Sequence, residues 1–310
     1  MSVGAFNIYV PTDIVRRYIP AQPPRLLSAC PRAAASYAEI MKIGFIGCGK
    51  MGSALIQGVL AAKLSEPSEV HVHDRLAEPA EMLGTESGVR VVRGNREVAA
   101  ASDVVVLCVK PEDALPAVTE VGGEMKGKLL ISIVAGITID ALQKAAGADC
   151  HVVRVMPNTA ALVQKGASAY AAGRGVTEAD LETVDKIFTS VGRAFPVKEE
   201  LLDAVTGLSG SGPAYVYLFI EALADGGVMM GLPRDLATQL AVQTVAGSAG
   251  MVSETMMHPA LLREMVTSPG GTTIAGLSEL EHRGVRSAVM DAVRAATLRA
   301  RELGGGDAEA

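Results

Sequence analysis

The sequence contains no tryptophan, and aromatic residues make up only 4% of its 310 positions. Proteins that grip single-stranded nucleic acid stack bases on aromatic side chains, so that class is disfavoured from the start. A basic excess is missing too: 28 Lys and Arg face 34 Asp and Glu, for a net charge of −6. Duplex binders carry a basic domain or stripe, and this chain offers none, so no nucleic-acid partner is expected. Long apolar runs are absent. The strongest are VVVLCV (104–109) and LLISIV (129–134), whereas a membrane-spanning helix needs roughly 20 such residues. No membrane association is expected. Cysteine is sparse, with Cys30, Cys48, Cys108 and Cys150 forming no C-x-x-C pair. Cys48 and Cys108 fall in apolar runs, the pattern of buried, reduced thiols in a cytoplasmic protein. His71 and His73 share one strand face, but a metal site needs more ligands than that pair, and no metal is expected.

What is present suits a globular enzyme-sized chain. Apolar residues are 49% and charged residues 20%, enough to build a sizeable core. The length suggests about two domains. Residues 1–40 stand apart, with five prolines, four arginines and two acids and no helical or strand period. Such a composition suits a targeting peptide, and equally a poorly ordered extension or residues upstream of a start at Met41; the extension is the preferred reading.

From residue 42 strands and helices alternate. Strands are expected at 42–47, 69–73, 89–92, 103–109, 128–134, 151–155, 166–172 and 192–197. Helices are expected at 50–62 and 138–146, with another opening at the Thr177/Asp180 capping-box spacing. Short apolar runs bounded by Gly and Pro, separated by helices, predict a parallel sheet covered on both faces. Beyond about residue 200 strand-like runs cease, and helical segments punctuated by Gly and Pro follow. The expected plan is therefore an α/β chain. A glycine-rich turn at 47–52 between the first strand and the first helix marks 41–200 as a dinucleotide-binding, Rossmann-like domain; an all-α domain spans 201–304, and a short tail covers 305–310. Seven of the 13 methionines lie after residue 200. They fit either ordinary core or a helix-to-helix interface between subunits.

The strongest local signal is Gly47-Cys48-Gly49-Lys50-Met51-Gly52, which follows an apolar strand and opens a helix. Gly47 permits the tight turn, Gly49 lets the backbone approach a pyrophosphate, and Gly52 allows close helix–strand packing. The helix N-terminus supplies free N–H groups for the phosphates. Asp74 follows Gly52 by 22 residues, near the ~20 expected of an acid that binds the adenosine ribose of NAD. Arg75 beside it has the guanidinium geometry for the 2′-phosphate of NADP. The two point in opposite directions, and both cofactors stay open. Lys110 and Asn158 fall at the carboxyl ends of strands, where ligands bind in open α/β sheets. Ser268-Pro269-Gly270-Gly271-Thr272-Thr273 precedes a helix. Its glycine amides and hydroxyls form a nest suited to an anion such as a carboxylate.

Taken together, IGFIGCGKMG, VKP, AGIT, MPNT, TGLSGSGPAYV, ADGGVMMGLPR and SPGGTTI resemble the pyrroline-5-carboxylate reductase family over about 41–304, in that family's order and spacing. The resemblance implies reduction of 1-pyrroline-5-carboxylate to L-proline with NADPH or NADH, the last step of proline biosynthesis. It also implies a C-terminal dimerisation domain and interlocked homodimers, often assembled into decamers. By resemblance, Ile46, Gly47, Cys48, Gly49, Lys50 and Met51 would carry the pyrophosphate. Asn95 would meet the adenosine side, Val109, Lys110 and Pro111 the ribose edge, and Val134, Ala135 and Gly136 the nicotinamide side. Ser268, Gly271, Thr272 and Thr273 would hold the substrate, with the Thr273 hydroxyl on the ring nitrogen as the catalytic group. The chain departs from the family at His258-Pro259-Ala260, where His-Pro-Gly is usual, and at Met256 and Met257, where a Glu often precedes that His.

Three rivals are weaker. A β-hydroxyacid dehydrogenase would need a lysine in the helical domain, and none follows Lys198. A non-catalytic dinucleotide sensor would have a degraded second site, whereas SPGGTT and SGSGPAY are intact. A serine hydrolase would need G-x-S-x-G, which TGLSGSG does not provide.

Overall fold

A computed structural model describes residues 41–305; the expectations for 1–40, including Cys30, lie outside the described residues. In chain order the structure runs β1 (Ile43–Ile46), α1 (Lys50–Ala61), β2 (Val70–His73), α2 (Ala77–Ser87), β3 (Arg90–Val91) and α3 (Asn95–Ala101). There follow β4 (Val104–Leu107), α4 (Pro111–Val121), β5 (Leu129–Ser132), α5 (Ile139–Ala146), β6 (His151–Met156) and β7 (Gly166–Ala172). α6 (Glu178–Thr189), β8 (Gly192–Pro196) and α7 (Leu202–Val205) complete the mixed part. The helical part holds α8 (Gly212–Met229), α9 (Arg234–Thr255), α10 (Pro259–Met265), α11 (Thr272–His282) and α12 (Val285–Leu303).

The eight strands form one sheet in the order β3-β2-β1-β4-β5-β6-β7-β8. Side-chain alternation explains why the central strands are apolar throughout. In β4, Val104 and Val106 join a core with Leu55, Ile56 and Val59 of α1. Val105 and Leu107 join the opposite core with Val118 of α4 and Leu142 of α5. Both faces are buried, so neither can be polar. β1 lies between β2 and β4. The chain therefore runs outward in both directions from the β1/β4 pair, and the crevice at their carboxyl ends is the usual ligand position in such sheets.

Pairing is parallel except between β6 and β7, which run antiparallel. Only residues 157–165 join these two strands. A parallel crossover takes a dozen or more residues, so the chain turns back instead. The Thr177/Asp180 capping box is formed: Thr177 Oγ1 accepts from the Asp180 amide, and Asp180 Oδ2 accepts from the Thr177 amide. Three helices, α2, α3 and α4, were not among those expected from sequence. α2 buries only Ala80 and Leu83, α3 has just seven residues, and α4 carries Pro116 internally.

Two compact units emerge. Among the described residues one comprises 41–216 together with 287–305, and the other is Tyr217–Arg286. The switch from mixed to helical structure near 201 and the limits of these units are thus different divisions. Within Tyr217–Arg286 the interior is slight: Ala224, Ala237 and Ala241, backed by Ile220 and Val228. Large apolar side chains in this unit lie open, among them Leu218 at 68%, Met229 at 83% and Met230 at 84%. Among the described residues no helix is long and apolar enough to cross a membrane.

Candidate nucleotide and substrate sites

The glycine loop leaves β1 under tight steric control. Gly47 has φ +99°, and a Cβ there would sit 2.6 Å from the Cys108 carbonyl oxygen. At Gly52 a Cβ would sit 2.5 Å from the Gly47 carbonyl oxygen. Both positions therefore exclude side chains for reasons of backbone packing. Gly49 is different, since nothing lies within 4 Å of its would-be Cβ. It is the N-cap of α1, and no side chain caps that end and no acid stands in the first turn. The start of α1 thus presents N–H groups beside open space, an arrangement that fits a phosphate.

Gly47 N–H donates to the His73 carbonyl (2.8 Å) and Cys108 N–H to the Ile46 carbonyl (2.8 Å), which lock the loop to the ends of β2 and β4. Asp74 completes the clamp. Its Oδ2 accepts from the Cys48 amide at 2.7 Å and its Oδ1 from the Leu76 amide at 2.9 Å. Burial, with the Asp74 charge nearby, pushes the Cys48 thiol up to about 12. Burial likewise raises the Cys108 and Cys150 thiols, so all three are protonated and inert at neutral pH.

Above the loop lies a cavity of about 580 Å³. It gathers Ile46, Gly47, Gly49, Asp74, Arg75, Asn95, Val109 and Lys110 from the residues expected to meet the cofactor. Cys48 and Gly52 are buried in the loop behind it, while Lys50 and Met51 begin α1. Pro111 is the first residue of α4. Val134, Ala135 and Gly136 follow β5 and do not line the cavity. Gly136 has φ +77°, and a Cβ there would meet the Leu303 carbonyl oxygen at 3.2 Å.

Sequence reasoning missed part of this wall. Asp113 and Glu120 of α4 line the cavity. Asp113 Oδ1 accepts from Arg75 Nη1 at 3.1 Å, and Glu120 Oε2 accepts from Asn95 Nδ2 at 2.8 Å. The available signal was Pro111 followed by Glu112 and Asp113, a helix-start signature.

Asn158 does structural work. Its Nδ2 donates to the Ser209 carbonyl (3.0 Å), and its Oδ1 accepts from the Ala167 amide (3.1 Å). Ser209 belongs to a π-helical turn, Thr206–Gly210, in the TGLSGSG segment. Such turns are rare and frequent at functional sites. Gly207 brings this turn against α12, since a Cβ there would lie 2.2 Å from Thr297 Oγ1.

In the Tyr217–Arg286 unit, Gly271 is the N-cap of α11 without a side-chain cap. Gly270 has φ +66°, and the Gly271 amide donates to the Ser268 carbonyl at 3.1 Å. Ser268 and Thr272 are exposed and Thr273 is half-buried. The loop is thus a formed nest at the start of an 11-residue helix. His258 caps α10, its Nδ1 accepting from the Ala260 amide at 3.2 Å.

Comparison with known proteins bears on both parts of the chain. Residues 199–303 match a family model described as pyrroline-5-carboxylate reductase dimerisation. Residues 42–136 match one described as NADP oxidoreductase coenzyme F420-dependent. The chain is 49% identical over 269 residues to pyrroline-5-carboxylate reductase of Arabidopsis thaliana, covering 86% of this chain and 96% of that protein. It belongs to the pyrroline-5-carboxylate reductase family. The Escherichia coli (strain K12) protein of that name is 41% identical over 253 residues, 81% of this chain and 94% of its own. A crystal structure of the Plasmodium falciparum pyrroline carboxylate reductase with NADP bound aligns with a TM-score of 0.77 at 36% identity, covering 85% of this chain and 98% of that one. The Coxiella burnetii enzyme aligns at 0.81 with 34% identity, covering 86% and 99%. Family members thus share the observed plan, a Rossmann-like sheet followed by helices.

Proposed function

We infer that this chain reduces 1-pyrroline-5-carboxylate to L-proline with NADH or NADPH, the final step of proline biosynthesis. The observation that carries the reading is the open, uncapped start of α1 at Gly49 in a chain that matches a family member over 86% of its length. When bound, the reduced nicotinamide supplies a hydride to the imine carbon.

The protein's own task is positional. A protonated cyclic imine is already electrophilic, so little covalent help is needed and orientation dominates. The amides at the start of α1, from Gly49 to Met51, hold the pyrophosphate, and Ile46, Gly47, Cys48 and Gly52 shape the loop around them. Asp74, Arg75 and Asn95 stand at the adenosine end, Val109, Lys110 and Pro111 along the ribose, and Val134 to Gly136 toward the nicotinamide. Ser268, Gly271 and Thr272 take the substrate carboxylate in the α11 nest. The Thr273 hydroxyl bonds the ring nitrogen and is the catalytic residue. The exposed apolar faces of Tyr217–Arg286 are covered by a second copy in a homodimer, and dimers assemble further into decamers. The enzyme works in the cytoplasm.

The test is oxidation of NADH and NADPH by purified protein, followed by the absorbance of the reduced nicotinamide, with 1-pyrroline-5-carboxylate as acceptor. Thr273→Val keeps the shape and removes the hydroxyl. A lost hydrogen bond to a charged nitrogen lowers kcat/KM roughly 10- to 100-fold. Unchanged kcat/KM in Thr273→Val would remove that residue from the chemistry, and no turnover with either cofactor would overturn the reaction itself.

A further inference from the structure

We propose that Asp74 makes this chain prefer NADH to NADPH. The inference rests on the reading of the cavity as the cofactor site and deepens it.

Asp74 ends β2, where a carboxylate characteristically accepts from the adenosine ribose 2′-hydroxyl. Here that carboxylate is fixed: the Cys48 and Leu76 amides hold one oxygen each, at 2.7 and 2.9 Å. It cannot swing aside to admit a bulky anion without releasing the glycine loop. A carboxylate has about four acceptor sites, so two amides leave capacity for ribose hydroxyls. A 2′-phosphate in the same place brings further negative charge against a fixed negative group.

The surroundings reinforce this. The cavity wall carries three acids, Asp74, Asp113 and Glu120, against two permanent cations, Arg75 and Lys110, with the imidazole of His73 beside them. Arg75, the residue best shaped to grasp a phosphate, is 75% exposed and already paired with Asp113 at 3.1 Å. Asn95, a neutral donor at the same end, is engaged by Glu120 at 2.8 Å. A phosphate reader normally presents cations with their charge unspent. Here α4 places an acid on each of the two candidate donors.

The experiment uses the full chain without substrate as well as in turnover. Calorimetric titration with AMP and with 2′,5′-ADP, which differ only in the 2′-phosphate, isolates its effect from the nicotinamide. The same titration is then made with NAD⁺ and NADP⁺, and kcat/KM is measured for NADH and NADPH. Wild type is expected to bind AMP and NAD⁺ at least about tenfold more tightly than their 2′-phosphorylated counterparts. Asp74→Ser should shift that ratio at least about tenfold toward the phosphorylated ligands, while Arg75→Ala should leave it within about twofold. Asp74→Asn, which keeps the size and one acceptor oxygen, serves if the serine variant loosens the loop. Tighter binding of 2′,5′-ADP by wild type, or a selective loss of NADP⁺ binding in Arg75→Ala, would overturn the proposal. Binding in the expected order with no turnover would count against the reductase reading and leave the role of Asp74 standing.

Discussion

Gly49→Ala separates folding from cofactor binding more cleanly than any other change in the loop. Nothing lies within 4 Å of the added methyl, and the residue has φ −68°, which alanine adopts freely. Alanine is a poorer N-cap than glycine, costing about 1 kcal/mol. It also restricts the unfolded chain, which restores about 0.4–1 kcal/mol. The two nearly cancel, so stability should change by less than about 1 kcal/mol. Binding should not survive so well, because the methyl occupies the space a pyrophosphate needs to reach the α1 amides. One lost charge-assisted hydrogen bond is about 2 kcal/mol, or roughly 30-fold in Kd. Gly52→Ala provides the contrast. Its Cβ would lie 2.5 Å from a backbone oxygen that cannot yield cheaply. Overpacking of that kind costs about 1–3 kcal/mol and should lower the melting temperature. The assays are urea denaturation and calorimetric titration with the reduced cofactor on both variants. If Gly49→Ala bound cofactor as well as wild type, the loop would not be the pyrophosphate cradle. If it unfolded like Gly52→Ala, the steric reasoning would be wrong.

Arg154 is buried on β6 and reaches Glu199 Oε1 at 3.3 Å and Asp203 Oδ1 at 3.6 Å, while Glu199 Oε1 also accepts from the Ile139 amide at 2.7 Å. Arg154→Ala should cost about 2–4 kcal/mol in urea denaturation, toward the lower end because water can reach both carboxylates; a loss under 1 kcal/mol would show the pair to be dispensable. Asp180 offers a pH test. Burial raises its carboxyl, but bonds from the Thr177 hydroxyl and amide and from His151 outweigh it and hold it below its ordinary value. Its contribution is therefore complete above the ordinary aspartate range and is lost as pH falls through the lowered value. Asp180→Asn should flatten the acid limb of the stability curve, and an unaltered limb would contradict this. Leu240, half-exposed on α9, should accept glutamate without unfolding the sheet domain. Sedimentation of Leu240→Glu is expected to show smaller species than wild type, and an unchanged assembly would place the subunit contact elsewhere.

How much was legible depended on range along the chain. The glycine loop, the Thr177/Asp180 cap and the central strands report geometry within a few residues, where residue type and period suffice. Asp74 could be located by spacing, but its grip on the Cys48 amide spans 26 positions. The Asn95–Glu120 and Arg75–Asp113 pairs span 25 and 38. No local pattern carries such information. α4 was overlooked because Pro116 interrupts its period, and with it went the two acids that line the cavity. Asn158, placed correctly at a strand end, proved to be a brace for the π-helical turn, a partnership reaching 51 residues ahead.

The sequence by itself determined that this chain holds a glycine loop between an apolar strand and a helix, that helices follow the sheet, and which family's motifs it carries. These follow from short-range rules: glycine where a Cβ would strike backbone, apolar runs where both sheet faces are covered. Tertiary structure alone decided the rest. It turned β7 antiparallel because the link from β6 was too short to cross over. It committed both oxygens of Asp74 to backbone amides and set an acid of α4 on Arg75 and on Asn95. The charge a ligand meets at the end of β2 is a sum over residues distant in sequence, and only the folded chain performs that sum.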